Sequence, residues 1–144
     1  MESCIHLTNS EEETIELGRR LAPTLSGVVL LIGNLGAGKT TLTKGIVEGR
    51  GVARIEEVSS PTFTLVHQYG SRDNPLFHID LYRLDEVREV ETLGLDDLFG
   101  SGALVLLEWA ERFPSLMPRE RTEIRLRALD DDSREITITR VGST

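Results

Sequence analysis

An α/β fold around a mixed, largely parallel sheet is what this sequence predicts, and three observations carry that expectation. The runs Val28–Ile32 and Ala103–Leu107 are apolar without interruption, as strands buried on both faces are. A glycine-rich break, "GNLGAGKTT" at 33–41, follows the first run and leads into Leu42, Ile46 and Val47 at helical spacing, giving the order strand, loop, helix. Further on, Ile124, Leu126 and Ala128 alternate with Arg125 and Arg127, and Ile136 and Ile138 alternate with Thr137 and Thr139. That period of two belongs to half-exposed antiparallel strands.

Taken in order, Cys4–Thr8 reads as a first strand. Ser10 and Glu13 stand at capping-box spacing before a helix carrying Ile15, Leu17 and Leu21, which Pro23 closes. Val28–Ile32 is the first buried strand, and the helix after the glycine-rich loop ends at Gly49 and Gly51. Thr62–Tyr69 and Leu76–Asp80 flank "GSRDNP", which predicts an antiparallel hairpin. Leu84, Val87 and Val90 mark a helical stretch that stops near Gly94, and Asp96 is placed to cap a further turn ending at Phe99. Ala103–Leu107 runs straight into Glu108 and Trp109. Two alternating strands joined by "LDDDSRE" form a last hairpin with one exposed face. The layers expected are therefore helices on a central sheet, three in all, with antiparallel hairpins added.

The chain has 144 residues, the size of one domain with its own core, and the reading is a single domain over 1–144. Its 24 acidic residues against 16 Lys and Arg give a formal charge of -8, which argues against a bare nucleic-acid-binding surface. A small ligand or a protein partner fits better. Cys4 is the sole cysteine, so no internal disulfide is available; it reads as a small apolar filler, and a reducing cytoplasm as the compartment. His6, His67 and His78 match no zinc spacing and are expected to be structural or to support a ligand indirectly. No basic-then-apolar leader and no membrane-spanning stretch is visible.

Gly33 to Thr40 fits G-x-x-x-x-G-K-[ST], the phosphate-binding loop, and lies in the strand-to-helix setting the motif requires. Gly33, Gly36, Ala37 and Gly38 let backbone N–H groups turn around phosphate oxygens. Lys39 reaches the terminal phosphates, Thr40 can ligate magnesium, and Thr41 follows at the helix N-terminus. The bland alternative is a chance glycine-rich turn. With the loop in place, the fold class is a P-loop three-layer α/β fold.

Magnesium and an attacking water still need acids, which in such folds come from strand ends beside the loop. Glu108 ends "ALVLL", where a metal-binding acid would sit; a surface salt bridge is the alternative. Asp80 ends "LFHID", with His78 on its face of the strand and Phe77 and Ile79 on the other; helix capping is its alternative role. "SSPTFTLV" offers Ser60, Thr62 and Thr64 after or before Pro61, either a phosphate-sensing switch or an ordinary strand entry. Trp109, the only tryptophan, is core packing by default; partly exposed, it would anchor a partner or cover the site. Arg83 and Arg88 would neutralise phosphoryl charge or simply face solvent. The acidic "EEVRE..TLGLDDLF" region is a solvated face or a docking surface for something basic. No N-K-x-D base-reading motif is present, which favours ATP over GTP.

Together these residues closely resemble the TsaE family, bacterial P-loop ATPases required for making threonylcarbamoyladenosine in tRNA. The resemblance rests on "GNLGAGKTT" at 33–41, "SPTFTLV" at 60–66, "HIDLYRL" at 78–84, "LGLDDLF" at 93–99 and "LLEWAER" at 106–112. It implies that Gly36 to Thr41 hold the phosphates of ATP or ADP, that Thr40 and Glu108 serve Mg2+, and that Asp80 is a catalytic acid near the attacking water. It further implies that Thr62 is a switch threonine beside Ser60 and Pro61, that Trp109 belongs to a functionally sensitive Glu-Trp pair, and that Thr8 approaches the nucleotide. Asn34 stands where the family often has Asp, so no carboxylate role transfers there. The implied partners are TsaD and TsaB, which carry out carbamoyl transfer onto adenosine 37 of tRNA and are reset by ATP hydrolysis. Contact with tRNA would run only through that pair, as an acidic chain favours. Hydrolysis is expected to be slow in isolation, because no arginine is firmly placed for catalysis.

Two rival readings share the strand, loop and helix. A small-molecule kinase would transfer phosphate to a metabolite and usually adds a lid and an arginine-lined acceptor site. A non-catalytic nucleotide sensor would keep its downstream effect when hydrolysis is abolished.

Overall fold

Seven strands hydrogen-bond into one sheet in the computed structural model, which describes residues 2–61 and 65–142. In chain order the elements are β1 (Glu2–Thr8), α1 (Glu11–Leu21), β2 (Val28–Ile32), α2 (Lys39–Gly49), β3 (Val66–Tyr69), β4 (Leu76–Asp80), α3 (Val87–Glu91), α4 (Leu95–Phe99), β5 (Leu104–Glu108), β6 (Arg121–Ala128) and β7 (Arg134–Val141). Across the sheet the order is β1-β7-β6-β2-β5-β4-β3. The middle strands β6, β2, β5 and β4 are parallel. β3, β7 and β1 each run antiparallel to the neighbour inside them, so both edges are hairpin-like.

The apolar runs sit where their composition sends them. All five residues of β5 are buried, because helices or turns cover both faces of the sheet there. On one face Leu17 of α1 and Leu42, Ile46 and Val47 of α2 pack on Val29, Leu31, Leu106 and Ile124. On the other, Val90, Leu95 and Phe113 pack on Val28, Leu30, Ile79, Val105 and Leu107. Burial of each such side chain is worth roughly 1.5–3 kcal/mol. This makes the three layers expected from the sequence. The outer face of β1 stays open, with Ile5 and Leu7 about two-thirds exposed.

Local signals explain most boundaries. Ser10 Oγ accepts the Glu13 N–H at 3.1 Å, and Glu13 accepts the Asn9 N–H at 2.9 Å, starting α1 after β1. Tyr69 pairs with Leu76 across the "GSRDNP" turn, closing the expected hairpin. Three details differ from expectation. Gly94, at φ 70°, holds the cap position of α4, and Asp96 lies inside its first turn; a left-handed cap suits glycine better than a side chain. Leu84 precedes α3, which is capped by Glu86. Cys4 is exposed rather than filling a core, because β1 is an edge strand.

Candidate functional site

Parallel order sets the C-terminal ends of β2, β5 and β4 side by side, the place where α/β sheets bind ligands. Leu31, Glu108 and Asp80 stand in register across these ends. Directly after β2 the chain enters the glycine-rich loop, and α2 begins at Lys39. Gly38 has φ 104°, a conformation that L side chains rarely adopt. Gly33 lies against β6 so closely that a Cβ there would fall 2.7 Å from the Leu126 carbonyl oxygen.

Lys39 is almost fully buried at the start of α2. Its Nζ donates to the Gly33 carbonyl at 2.7 Å, lies 3.9 Å from Glu108 Oε1 and sits 4.0 Å from the centroid of the Trp109 ring. Burial pushes its ammonium below the ordinary lysine range, opposed by the charges of Glu108, Glu111 and Asp80. A buried cation beneath a loop of inward-turned backbone is the charge a polyphosphate would match.

Glu108 is held from two sides. His78, wholly buried on β4, meets Glu108 Oε2 through Nε2 at 2.5 Å, while Oε1 faces Lys39. With the carboxylate ionised, which only accepts, Nε2 is the donor of this bond. Asp80, also buried, accepts the Tyr82 N–H through Oδ1 at 2.8 Å. That bond closes a turn after the strand and caps no helix, since α3 begins only at Val87 with Glu86 as its cap. Trp109 and Leu65 are the non-glycine residues with positive φ among the described residues. Both adjoin the acids: Trp109 follows Glu108, and the Leu65 carbonyl accepts the Asp80 N–H at 2.9 Å. Such conformations gather at functional sites.

A cavity of about 300 Å³ joins these pieces, lined by Gly36, Gly38, Lys39, Thr40 and Thr41 of the loop and by Ser60, Asp80, Tyr82, Glu108, Trp109 and Arg134. Its size falls at the lower end of small-molecule sites. Of the other residues singled out, Gly33 and Ala37 face a second hollow against β6. Thr8 is buried, its hydroxyl 2.7 Å from that of Thr14. Thr14 itself lines a cleft of about 120 Å³ beside Gly38 and Thr41. Pro61 is buried; Thr62 and Thr64 lie outside the described residues. Arg83 and Arg88 are exposed and do not line the main cavity. The acids of α3 and α4, Glu89, Glu91, Asp96 and Asp97, are exposed.

His78, expected to be structural or to support a ligand indirectly, bonds Glu108 because β4 lies beside β5. Sequence reasoning did not single out Leu35, Tyr82 or Arg134, which line the cavity. Arg134 reaches the loop from 97 residues away, and no local pattern announces it.

The donor set fits a nucleotide with magnesium. Hydroxyl and carboxylate oxygens on Thr40, Glu108 and Asp80 suit a hard cation. Among the described residues no cluster of three His, Cys, Asp or Glu could hold a metal alone. Magnesium bound here would thus rely on one or two protein oxygens plus phosphates, its usual mode.

Fold, glycine-rich loop and strand-end acids define an α/β protein built on a seven-stranded, centrally parallel sheet. The family model for "Threonylcarbamoyl adenosine biosynthesis protein TsaE" matches residues 8–136. The chain is 47% identical over 116 residues to the tRNA threonylcarbamoyladenosine biosynthesis protein TsaE of Bacillus subtilis, covering 81% of this chain and 71% of that one. It is 41% identical over 141 residues to the TsaE of a Nostoc species, covering 93% and 84%. The crystal structure of YdiB from Bacillus subtilis superposes with a TM-score of 0.79 at 38% identity, covering 98% of this chain and 87% of that one. The chain belongs to the TsaE family, which takes part in tRNA threonylcarbamoyladenosine biosynthesis. Among the described residues no helix is long and apolar enough to cross a membrane.

Proposed function

We propose that this chain, as one domain over 1–144, is a magnesium-dependent ATP hydrolase that supports threonylcarbamoyladenosine modification of tRNA by resetting a TsaD–TsaB pair. It would work in the cytoplasm and meet tRNA only through that pair. The observation that carries the reading is the convergence of Lys39, Thr40, Glu108 and Asp80 on one cavity at the strand ends. Family membership supplies the pathway.

Magnesium, if held by Thr40 and Glu108, would supply positive charge against the phosphates. The residues do the rest. Loop N–H groups and Lys39 bind the phosphates, and Thr40 and Glu108 hold the metal. Glu108 is kept in place by His78. Asp80, at the neighbouring strand end, orients water for in-line attack and takes up its proton. Trp109, over Lys39, covers the site from solvent. Arg83 and Arg88 do not line the cavity, and Arg134, which does, is tied to the Gly36 and Ala37 carbonyls; hydrolysis would stay slow until a partner closes the site.

The test is reconstituted tRNA modification under multiple turnover, with and without this protein and with ATP hydrolysis followed alongside. Product beyond the first turnover should require the protein, ATP and magnesium. Equal product in its absence removes the assignment, and equal hydrolysis with and without TsaD and TsaB removes partner-dependent activation.

A further inference from the structure

At the β1, β7 and β6 end of the sheet one face stays open. Register places Ile5, Thr137 and Arg125 in one row across the three strands and Leu7, Glu135 and Arg127 in the next. Among the described residues none on this face of the three strands is buried. Their opposite face carries Ile124, Leu126, Ile136 and Ile138, packed in one core with Leu17 of α1 and Leu42 of α2.

A strand with one face in water ordinarily turns its apolar side chains inward and its polar ones outward. β1 reverses that pattern. Its inner face carries Cys4 and His6, in register with Ile138 and Ile136, while Ile5 and Leu7 point outward and are largely exposed. Single exposed apolar side chains are ordinary, whereas two adjoining on one strand face begin a patch. A hollow of about 600 Å³ extends this face, walled by Arg125, Arg127 and Thr137 on the strands and by Gly33 to Ala37 of the glycine-rich loop.

The arginines stand above their acids. Arg125 meets Glu123 at 3.0 Å through Nη2, its side chain 59% exposed against 13% for the acid, and Arg127 meets Glu135 at 3.1 Å, with 67% against 31%. Ion pairs at the surface hold weakly, and a guanidinium has five N–H donors, enough to take a second carboxylate beside the first. Although the chain carries a net charge of -8, this face therefore presents arginines beside apolar side chains. Three strands span roughly 10 Å from first to last, the width of one α-helix.

We infer that this face is a docking surface for an acidic amphipathic helix of a protein partner, its apolar stripe on Ile5 and Leu7 and its carboxylates on Arg125 and Arg127. The inference rests on the partnership proposed above and takes the helix to belong to the TsaD–TsaB pair. A helix seated there borders the hollow beside Gly33 to Ala37, which brings the partner next to the glycine-rich loop.

Calorimetric binding of the TsaD–TsaB pair at low and high salt tests this on wild type and two double variants, Ile5→Thr with Leu7→Thr and Arg125→Gln with Arg127→Gln. Val87→Thr, at an exposed apolar position on α3, is the control. Threonine keeps a β-branched strand former on β1. The threonine variant should bind the pair at least about tenfold more weakly, the scale of losing burial of one such side chain. The glutamine variant should lose about three- to tenfold at low salt and show a flatter salt dependence than wild type. Val87→Thr should bind like wild type, and ATP hydrolysis by each variant alone should stay within about twofold of wild type. If the threonine variant does not fold, Ile5→Ala with Leu7→Ala is held to the same expectation. Unchanged affinity in either folded double variant overturns the inference alone. Self-association of the wild type that the threonine variant abolishes, with pair binding intact, also overturns it, because a second copy would then occupy the face. Binding of tRNA to the wild type that the glutamine variant abolishes, with pair binding intact, does the same. Failure of the wild type to bind the pair overturns both the inference and the proposed partnership.

Discussion

His78 and Glu108, on neighbouring parallel strands, meet through Nε2 and Oε2 at 2.5 Å with His78 wholly buried. The ring fixes the carboxylate so that Oε1 faces Lys39. Replacing His78 with Leu keeps the volume but leaves Oε2 buried without its donor. Loss of such a supporting group typically reduces metal affinity or activity by roughly 10–100-fold. His78→Leu should therefore raise the magnesium needed for half-maximal hydrolysis by that order, and His78→Gln, which keeps a donor near the Nε2 position, should restore part of it. A magnesium titration that superposes for wild type and His78→Leu would show that the bond does not orient the metal site.

Trp109 reports on the same lysine. Lys39 lies 4.0 Å from the centroid of the indole ring, and a move toward a terminal phosphate would give up a cation–π contact worth roughly 0.5–2 kcal/mol. Trp109 is the sole tryptophan, so emission is unambiguous. ADP should change its intensity or wavelength along the same isotherm that calorimetry gives. Calorimetric binding with unaltered emission would mean that Lys39 keeps its place and that another cation meets the phosphates.

What was legible in the sequence was local. Each position of the 33–41 loop has its own backbone or charge requirement, so the motif and its flanking strand and helix could be read without tertiary information. Uninterrupted apolar runs announced β2 and β5, and Glu108 stood out as a carboxylate at the end of one of them. The alternation in "LFHID" placed His78 and Asp80 on one face, as they are. Strand order was not legible. The His78 bond needs β4 beside β5, and the Arg134 contact needs β6 beside β2, with β7 folded back on it. Cys4 was misjudged for the same reason, since an edge position and a central one carry the same short pattern.

Gly45 marks where the first two helices touch. A Cβ built there would fall 2.0 Å from the Ile15 carbonyl oxygen and 2.9 Å from the Gly18 Cα, both backbone atoms of α1. Alanine is favoured over glycine in a helix by about 1 kcal/mol, yet overpacking of a rigid contact costs typically 1–3 kcal/mol or more. Backbone on both sides cannot yield without separating the helices, so the clash decides the sign. Gly45→Ala should lower unfolding stability by about 2 kcal/mol in urea titration. A stabilised variant would mean that α1 and α2 have freedom to move apart.

Glu108 and Asp80 separate hydrolysis from mere sensing. Both are buried at the strand ends and both line the main cavity, while in the proposed site the loop and Lys39 would supply the larger part of phosphate binding. Glu108→Gln and Asp80→Asn keep shape and remove charge, so each should retain ADP affinity within a few-fold and lose hydrolysis. For Asp80→Asn the loss should reach roughly 10²–10⁴-fold, the usual contribution of a general base. For Glu108→Gln a high magnesium concentration should recover part of the rate, because the amide still offers an oxygen to a hard cation. Reconstituted tRNA modification should then stall after the first turnover with Asp80→Asn. Sustained turnover with that variant, at undiminished nucleotide affinity, would make the protein a nucleotide sensor whose bound state alone acts on its partner.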